Sequence, residues 1–595
     1  MIIASKINNK IIDLHTLALD NIRENSGILR DSEEGEKILR HSAAHVLGEV
    51  LKKKYSPISF AVGPVTTYGF FYDVLLNETI SSHELINLEN FMKESIREKH
   101  SFKKKIIPLQ EAKDLFENDT CKNFLLTSIP RGEEISLYTH GDFTDLCEGP
   151  HVMNTHQIGE NFQLTKVSQV HWRGLLLQRI EGVLFYSKER LVNHLKLVEK
   201  QNSIDHRKLG EECDLFKHIN VSQGNVFWLE NGRRLFKIIC DYLETKYEKY
   251  NYKVVKTPLI FQNELWKATG HWEKYLDNMY VTTEDHVIKP MNCPGHVEIF
   301  KSFNSSYKEL PCRLGEIAHV HRKEETGALN GLKRACGFHQ DDGHIFCSLN
   351  QVPQEIQLFM DMLDEIYADF GFTNYEIVLS TRPEKRIGDD ARWHQSESIL
   401  IDWLKNNNRD FTISEGDGAF YGPKIEIQLK DNFHRKWTCG TLQWDDFLPV
   451  RLEAEYNSQE NQKAHPILFH RAILGSIERF IAILLEHYEG HLPLWITPVS
   501  VMVVSVSAKT TPYSEQIFHL LKDHHIRTML DISDNTLNSK LKKALIKKIP
   551  FIIIIGEKEV ENQNITVRHQ NINKVTNIHD FIAHEFSKDK YTKNP

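Results

Sequence analysis

At 595 residues, with 41% hydrophobic and 26% charged side chains, the chain is too long for one core and has the make-up of a multidomain globular protein. Its net charge of -8 excludes a uniformly basic nucleic-acid coat, but leaves room for an RNA partner held by local basic patches. Nine cysteines without a spacing framework point to a reducing compartment. The longest apolar runs, such as Phe551 to Ile555, are far too short for a membrane span, and no signal-peptide core opens the chain; a cytoplasmic protein with no membrane partner is expected.

Residues 1–35 are polar and irregular, and read as a remnant or an arm. From Glu36 the pattern turns helical, and HSAAH sets His41 and His45 at i and i+4 on one face. DLCEGPH then offers Cys147 and His151 on a loop, because Gly149 and Pro150 oppose a helix. These four residues are either two unrelated pairs or one set able to bind zinc. An amphipathic helix from about Leu191 to Lys208 reads as a linker with a packing face. A further helix runs from Leu235 to Tyr250, before NYKVVKTPLIF and its Pro258. TGHW follows with His271, and MNCPGH with Cys293.

The stretch from Arg313 to Cys347 reads as a long antiparallel hairpin. An alternating run to Val320 and the run FHQDDGHIFC flank the glycine-bearing loop EETGALNGLKR. Gln340, Asp342 and His344 alternate on the return strand and so share a face. Arg322 and Glu324 stand before the loop and Arg334 at its end. An arginine fork suits a phosphate, and a glutamate can accept from an exocyclic amine, so the hairpin looks like a nucleotide site. Downstream, EGDGAFYGPKIEIQL places Tyr421 and Lys424 at a glycine-rich turn and strand, and KWTCGTLQWDD carries Gln443. HPILFHRAILGSIERF gives a strand ending at His470 and a helix with Ser476 and Arg479. From about Ile496, strands and helices alternate as in a small sheet of buried parallel strands. Its helix SKLKKALIKKIP is expected to turn Leu541 and Leu545 inward and Lys540, Lys543 and Lys547 outward.

HRKEETGALNGL, FHQDDGHIFC, MNCPGH and FHRAILGSIERF together resemble the threonyl-tRNA synthetase family of class II aminoacyl-tRNA synthetases, from about Ile38 to Arg568. The resemblance implies a multidomain α/β and α+β chain: an α+β editing domain at 36–188, a linker helix at 189–213, a class II antiparallel-sheet catalytic domain at 214–494 and an α/β anticodon-binding domain at 495–595. That family usually begins with a ubiquitin-like β-grasp domain, for which residues 1–35 leave no room. The implied activity is ATP-dependent ligation of L-threonine to tRNA(Thr) through an adenylate, by a homodimer, with Mg2+ accompanying ATP. Cys293, His344 and His470 would hold one Zn2+ per chain. Arg322 would hold the α-phosphate, Arg479 the γ-phosphate and Glu324 the adenine amine, with Lys424 beside the phosphates. Asp342 and Tyr421 would hold the amino acid, Gln340, Gln443 and Ser476 would line the pocket, and His271 would shuttle a proton. His41, His45, Lys122, Asp145, Cys147 and His151 would form a seryl-tRNA editing site that positions water without a retained metal. Glu559 and Arg568 would touch the anticodon.

Two departures from the family pattern fall near the expected nucleotide site: Cys336 where an arginine is usual, and Thr438 where glutamine is common. They favour an alternative, a catalytically impaired synthetase-like RNA-binding regulatory protein. Ser533 and Asp534 also depart from the pattern ahead of the lysine-rich helix. A free-standing hydrolase built on His41, His45, Cys147 and His151 would leave the following four hundred or so residues without a role.

Overall fold

The computed structural model describes residues 1–7, 10–14, 26–130, 134–431 and 435–587, in two units, Met1–Lys200 and Gln201–Pro595. In the first, the described residues among 1–35 are not irregular. Strands β1 (Ile2–Ile7), β2 (Lys10–Asp13) and β3 (Ser26–Leu29) form an antiparallel sheet in the order β2-β1-β3. A register shift between Ile2 and Ala4 leaves Ile3 and Ala4 both buried, which erases the period-two signal of a strand. Helix α1 (Glu33–Lys54) starts at Ser32, whose Oγ accepts from the Gly35 N–H at 3.0 Å, and it places acidic residues in its first turn and lysines in its last. Most of α1 is buried. Against it pack β4 (Gly69–Leu75) and α2 (Glu84–Arg97), while α3 (Thr120–Thr127) follows β5 (Lys103–Pro108). β5 pairs with β6 (Glu134–His140) and β6 with β7 (Phe143–Leu146). β4 lies beside the hairpin of β8 (Phe162–Trp172) and β9 (Leu175–Leu184).

The segment expected as one linker helix is two: Lys188–Ser203, then α4 (His206–Glu212), which Asp205 caps by accepting from the Arg207 N–H at 2.8 Å. The second unit continues with α5 (Glu230–Lys249) and α6 (Cys293–Ser302), and is built on an eight-stranded sheet. The expected hairpin is present: β10 (Cys312–His321) pairs antiparallel with β11 (Gly337–Cys347). Beyond β11 lie β14 (Ile467–Ala472), β13 (Lys436–Asp445) and β12 (Lys424–Lys430), each antiparallel to its neighbour. Helix α7 (Ile477–His487) follows β14 after Gly475, which has φ +70°, and Ser476 is its N-cap rather than part of the helix.

Register decides which side chains meet. His344 pairs with His470, His470 with Gln443, and Gln443 with Lys424, so four polar residues from four strands form one rung on one face. On the opposite face Ile345, Phe469 and Leu442 join a core that includes α5 and α7 residues. Within that face Arg471 donates to Asp341, both fully buried, and lies over Tyr247 and Tyr252 with its guanidinium carbon 4.8 and 4.6 Å from the ring centres. Asp341 also accepts from Tyr247 Oη and, at 2.9 Å each, from the N–H groups of Ile473 and Leu474.

The last domain has a mixed sheet rather than a purely parallel one. β15 (Val501–Ser505), β16 (Thr528–Asp531) and β18 (Ile565–His569) flank β17 (Phe551–Ile555) in the order β16-β15-β17-β18, ending on β19 (Ile572–Thr576); the first three are parallel, the last two antiparallel. Helix α8 (Leu537–Ile546) is rotated from the expected phase. Its buried residues are Lys540, Leu541 and Ala544, while Leu545 is exposed. Lys540 turns inward because its Nζ reaches the Ser505 carbonyl at 2.8 Å beside Asp531.

Breaking the buried Asp341–Arg471 pair leaves an uncompensated charge. Asp341→Ala is therefore expected to destabilise the catalytic unit by about 3–5 kcal/mol in denaturant unfolding. Lys509→Ala, in an exposed pair with Glu557, should leave the midpoint unchanged. Equal effects of the two would contradict this account.

Candidate functional site

A cavity of about 340 Å³ opens against the sheet, lined by Arg322, Glu324, Arg334, Gln340, Gln443 and Arg479 among others. Arg322 stands just past the end of β10, where its Nε donates to the Pro290 carbonyl at 3.1 Å and its guanidinium carbon lies 5.2 Å from the Phe338 ring centre. Arg479, in the first turn of α7, donates from Nε to the Lys333 carbonyl at 3.0 Å and from Nη1 to the Thr438 carbonyl at 3.2 Å. Arg334 donates to Glu324 at 2.8 Å. Burial, aided by Arg322 and Arg334, pulls the Arg479 guanidinium below its ordinary value. Like charges crowded into one cavity are relieved by a polyanion, and three forks of this kind match phosphate geometry. Thr438 lines the cavity, whereas Cys336 is not among its lining residues. Cys336 is buried against Gly224, where an added Cβ would stand 2.5 Å from its Sγ.

The rung ends in a second cluster. The donor atoms of Cys293, His344 and His470 all lie within 4.8 Å of one another, and all three residues are buried. His344 Nε2 and His470 Nδ1 are 3.0 Å apart. Each ring's other nitrogen is engaged: His470 Nε2 with Asp445 Oδ2 at 2.9 Å, and His344 Nδ1 with His296 Nδ1 at 2.9 Å. His296 Nε2 in turn lies 3.2 Å from Glu316 Oε2. With protons donated toward the two carboxylates, His470 Nδ1 and His344 Nε2 present lone pairs to the same space beside a thiol. Two nitrogens and a sulfur so directed fit a tetrahedral cation with one open position, each imidazole oriented by an outer partner.

In the first unit, α1 presents His41 and His45 to the loop after β7. Cys147 Sγ lies 3.2 Å from His41 Nε2 and 3.3 Å from His151 Nε2, and the donor atoms of His41, His45, Cys147 and His151 are within 4.8 Å of one another. Lys122 is ion-paired with Asp145, two residues before Cys147, and donates to the Ala61 carbonyl at 3.2 Å. Burial pushes the Cys147 thiol up to about 12 and holds His41 and His45 below the ordinary imidazole value, which favours a neutral thiol and neutral rings. A neutral thiol is a poor nucleophile, whereas a neutral imidazole can take a proton from water. His45 Nδ1 is buried with no hydrogen-bond partner among the described residues.

Other expected residues are placed as follows. Tyr421 Oη donates to Gln443 Oε1 at 2.7 Å, with its ring 5.2 Å from that of His470. Asp342 shares the face of Gln340 and His344, and burial pushes its carboxyl up to about 8. His271 is buried, with Nδ1 2.7 Å from Thr269 Oγ1; burial, followed by the neighbouring His470, lowers it to about 4. Lys424 is outside the cavity lining, on a strand four steps along the sheet from β10, and pairs with Glu426 at 3.1 Å. Glu559 accepts from the Gly556 N–H at 2.9 Å and from Thr566 Oγ1 at 2.6 Å, so its carboxylate is engaged locally. Arg568 donates to Asn571 at 3.0 Å. Sequence reasoning passed over Tyr72, which donates to Asp145, and Asp13, which accepts from Tyr138 Oη and the His151 N–H. It also passed over His296 and Asp445, although both lie inside quoted motifs, MNCPGH and LQWDD.

Residues 280–488 match the family described as tRNA synthetase class II core domain (G, H, P, S and T), 500–579 the anticodon binding domain, and 135–181 the threonyl and alanyl tRNA synthetase second additional domain. A threonine–tRNA ligase of Ehrlichia ruminantium is 41% identical over 579 residues, covering 95% of this chain and 91% of its own. One from Thiobacillus denitrificans is 39% identical over 576 residues, with 95% and 90% covered. The crystal structure of the RNA binding domain of threonyl-tRNA synthetase from Cryptosporidium parvum is similar at a TM-score of 0.62 and 38% identity, over 66% of this chain and 99% of that one. By identity along nearly its whole length, and by its class II core, anticodon-binding and second additional domains, the chain belongs to the threonine–tRNA ligase family.

Proposed function

We propose that this protein joins L-threonine to tRNA(Thr) through a threonyl-adenylate, using ATP with Mg2+, and hydrolyses seryl-tRNA formed in error. The observation that carries the reading is a three-arginine cavity next to a buried cluster of two imidazoles and a thiol. Arg322 is assigned the α-phosphate, Arg479 the γ-phosphate and Glu324 the adenine amine. These are preorganised donors and acceptors, and the reaction asks mostly for positioning and neutralisation of charge. Gln340, Gln443, Asp342 and Tyr421 complete the pocket walls. His271, with Nδ1 tied to Thr269, keeps Nε2 for the proton of the attacking ribose hydroxyl. Lys424, held by Glu426, is the weaker phosphate candidate. We assign one Zn2+ per chain to Cys293, His344 and His470, where it would offer an open position to the amino and hydroxyl groups of threonine.

A pocket that reads a hydroxyl rejects valine, which has none, by roughly 10⁴-fold or more, whereas serine differs by one methyl worth roughly 1–3 kcal/mol. Serine must therefore leak through, and the cluster on α1 and the loop after β7 is assigned its removal. A histidine of His41, His45 and His151, or Asp145, would orient the attacking water there, Lys122 would hold a ribose or phosphate oxygen, and Cys147 would shape the pocket. A homodimer joined through α5 and the strand that leads to Pro258, and contact of Glu559 and Arg568 with the anticodon, complete the proposal. No helix among the described residues is long and apolar enough to cross a membrane, and the cytoplasm is the proposed location. The reading as a catalytically impaired RNA-binding regulator is weakened by the meeting of Arg322, Glu324 and Arg479 in one cavity.

Cys293→Ala should lose about one zinc per chain, measured by elemental analysis, and abolish threonine-dependent pyrophosphate exchange while circular dichroism stays unchanged. A zinc-free protein of full activity would remove the assignment. Arg322→Ala should slow single-turnover adenylation by roughly 10²–10³-fold; a rate near wild type would show the nucleotide to be misplaced. His45→Ala and Cys147→Ala should each stop deacylation of preformed seryl-tRNA and leave threonine charging intact. If the unmodified protein deacylates no faster than buffer, the editing assignment is wrong.

A further inference from the structure

One buried polar cluster has no part in the chemistry assigned so far. His206 on α4, Lys333 in the hairpin loop and Glu486 near the end of α7 are each 3% exposed or less. Glu486 accepts from His206 Nδ1 at 2.8 Å and from Lys333 Nζ at 2.6 Å, with Arg435 at 3.1 Å. His206 Nε2 accepts from the Leu332 N–H at 3.2 Å, which fixes the ring proton on Nδ1. Asp205, His206 and Glu486 stand close enough to offer a cation three ligands, but Lys333 already neutralises Glu486 and Arg207 holds Asp205. The cluster is closed to a further ion.

Its connections lead to the cavity. The turn Gly331–Lys333 is gripped from two sides, by α4 through His206 and by α7 through Glu486. The contact is close: a Cβ on Gly331, at φ +51°, would stand 2.4 Å from His206 Nε2. Lys333 is held at one end by Glu486, and its carbonyl at the other end receives Arg479 Nε at 3.0 Å. The next residue, Arg334, meets Glu324. Leu332, 1% exposed, anchors the same turn in the core. Arg479 is thus aimed by a backbone carbonyl whose own place depends on Glu486 and His206. We infer that His206 and Glu486 are positioning residues, which act through Lys333 to set Arg479 and Arg334 for the polyphosphate of the nucleotide. The inference rests on the nucleotide reading of the cavity.

An arginine fork a fraction of an ångström out of place loses its hold on a phosphate, and adenosine has no phosphate to lose. In the full-length protein, His206→Ala is expected to weaken ATP binding by about 10–100-fold in calorimetric titration, with adenosine binding changed by less than about twofold. Seryl-tRNA deacylation and zinc content should not move. Loss of ATP and adenosine affinity to the same extent, or a lowered melting temperature with ATP affinity intact, would overturn the relay. If His206→Ala does not fold, Glu486→Gln, which removes the charge that holds Lys333 while conserving shape, reads the same ratio. Absence of ATP binding by the unmodified protein would instead refute the nucleotide reading, and the relay with it.

Discussion

The pairing of Asp341 with Arg471 beneath the sheet is the constraint on which the active face depends. Asp341 lies on β11 and Arg471 on β14, one residue away from Gln340 and Asp342 in the first case and from His470 in the second. Side chains alternate across a strand, so slipping either strand by one residue would send His344 or His470 to the core face and a hydrophobic residue into the site. Buried ion pairs add little net stability when compared with a well-packed apolar pair, but they penalise every register that separates them. Four acceptances by Asp341, from Tyr247, Arg471, Ile473 and Leu474, also tie α5 and the turn into α7 to the same point. The sheet, the helix behind it and the helix that carries Arg479 are thereby set in one frame.

Above that frame the polar groups are arranged in layers. Residues of the cavity and of the neighbouring cluster are oriented by a second group: His470 by Asp445, His344 by His296 and Glu316, Arg479 by the Lys333 carbonyl, Arg322 by the Pro290 carbonyl. The same construction recurs in the first unit. There Asp13, from a strand far away in sequence, holds the backbone of His151, and Tyr72 reaches Asp145. Such outer partners cost conformational entropy to order, and that cost is met before any ligand arrives. A site that is already aligned loses less when it binds.

The two proposed sites follow from one chemical difficulty. A cation that reads a hydroxyl separates threonine from valine because valine leaves the site unpaired, but it sees serine as nearly the same molecule. Packing around one methyl supplies too little discrimination for protein synthesis. A second cluster, of buried neutral imidazoles and a neutral thiol, suits hydrolysis of an ester better than it suits phosphate chemistry.

The sequence by itself determined the hairpin and the face shared by Gln340, Asp342 and His344, because strand alternation and glycine punctuation are local and survive in one dimension. Through its resemblance to the family it also named Cys293, His344 and His470, although no spacing rule links residues so far apart. It misread what depends on neighbours. The bulge in β1 hid a strand, and Lys540 turned inward because an acceptor at Ser505 was waiting for it. Only the tertiary structure decided that Glu486, His206 and Lys333 meet. Pairing of buried charges is fixed by three-dimensional closeness and desolvation, and neither quantity is written in the distance between two residues along a chain.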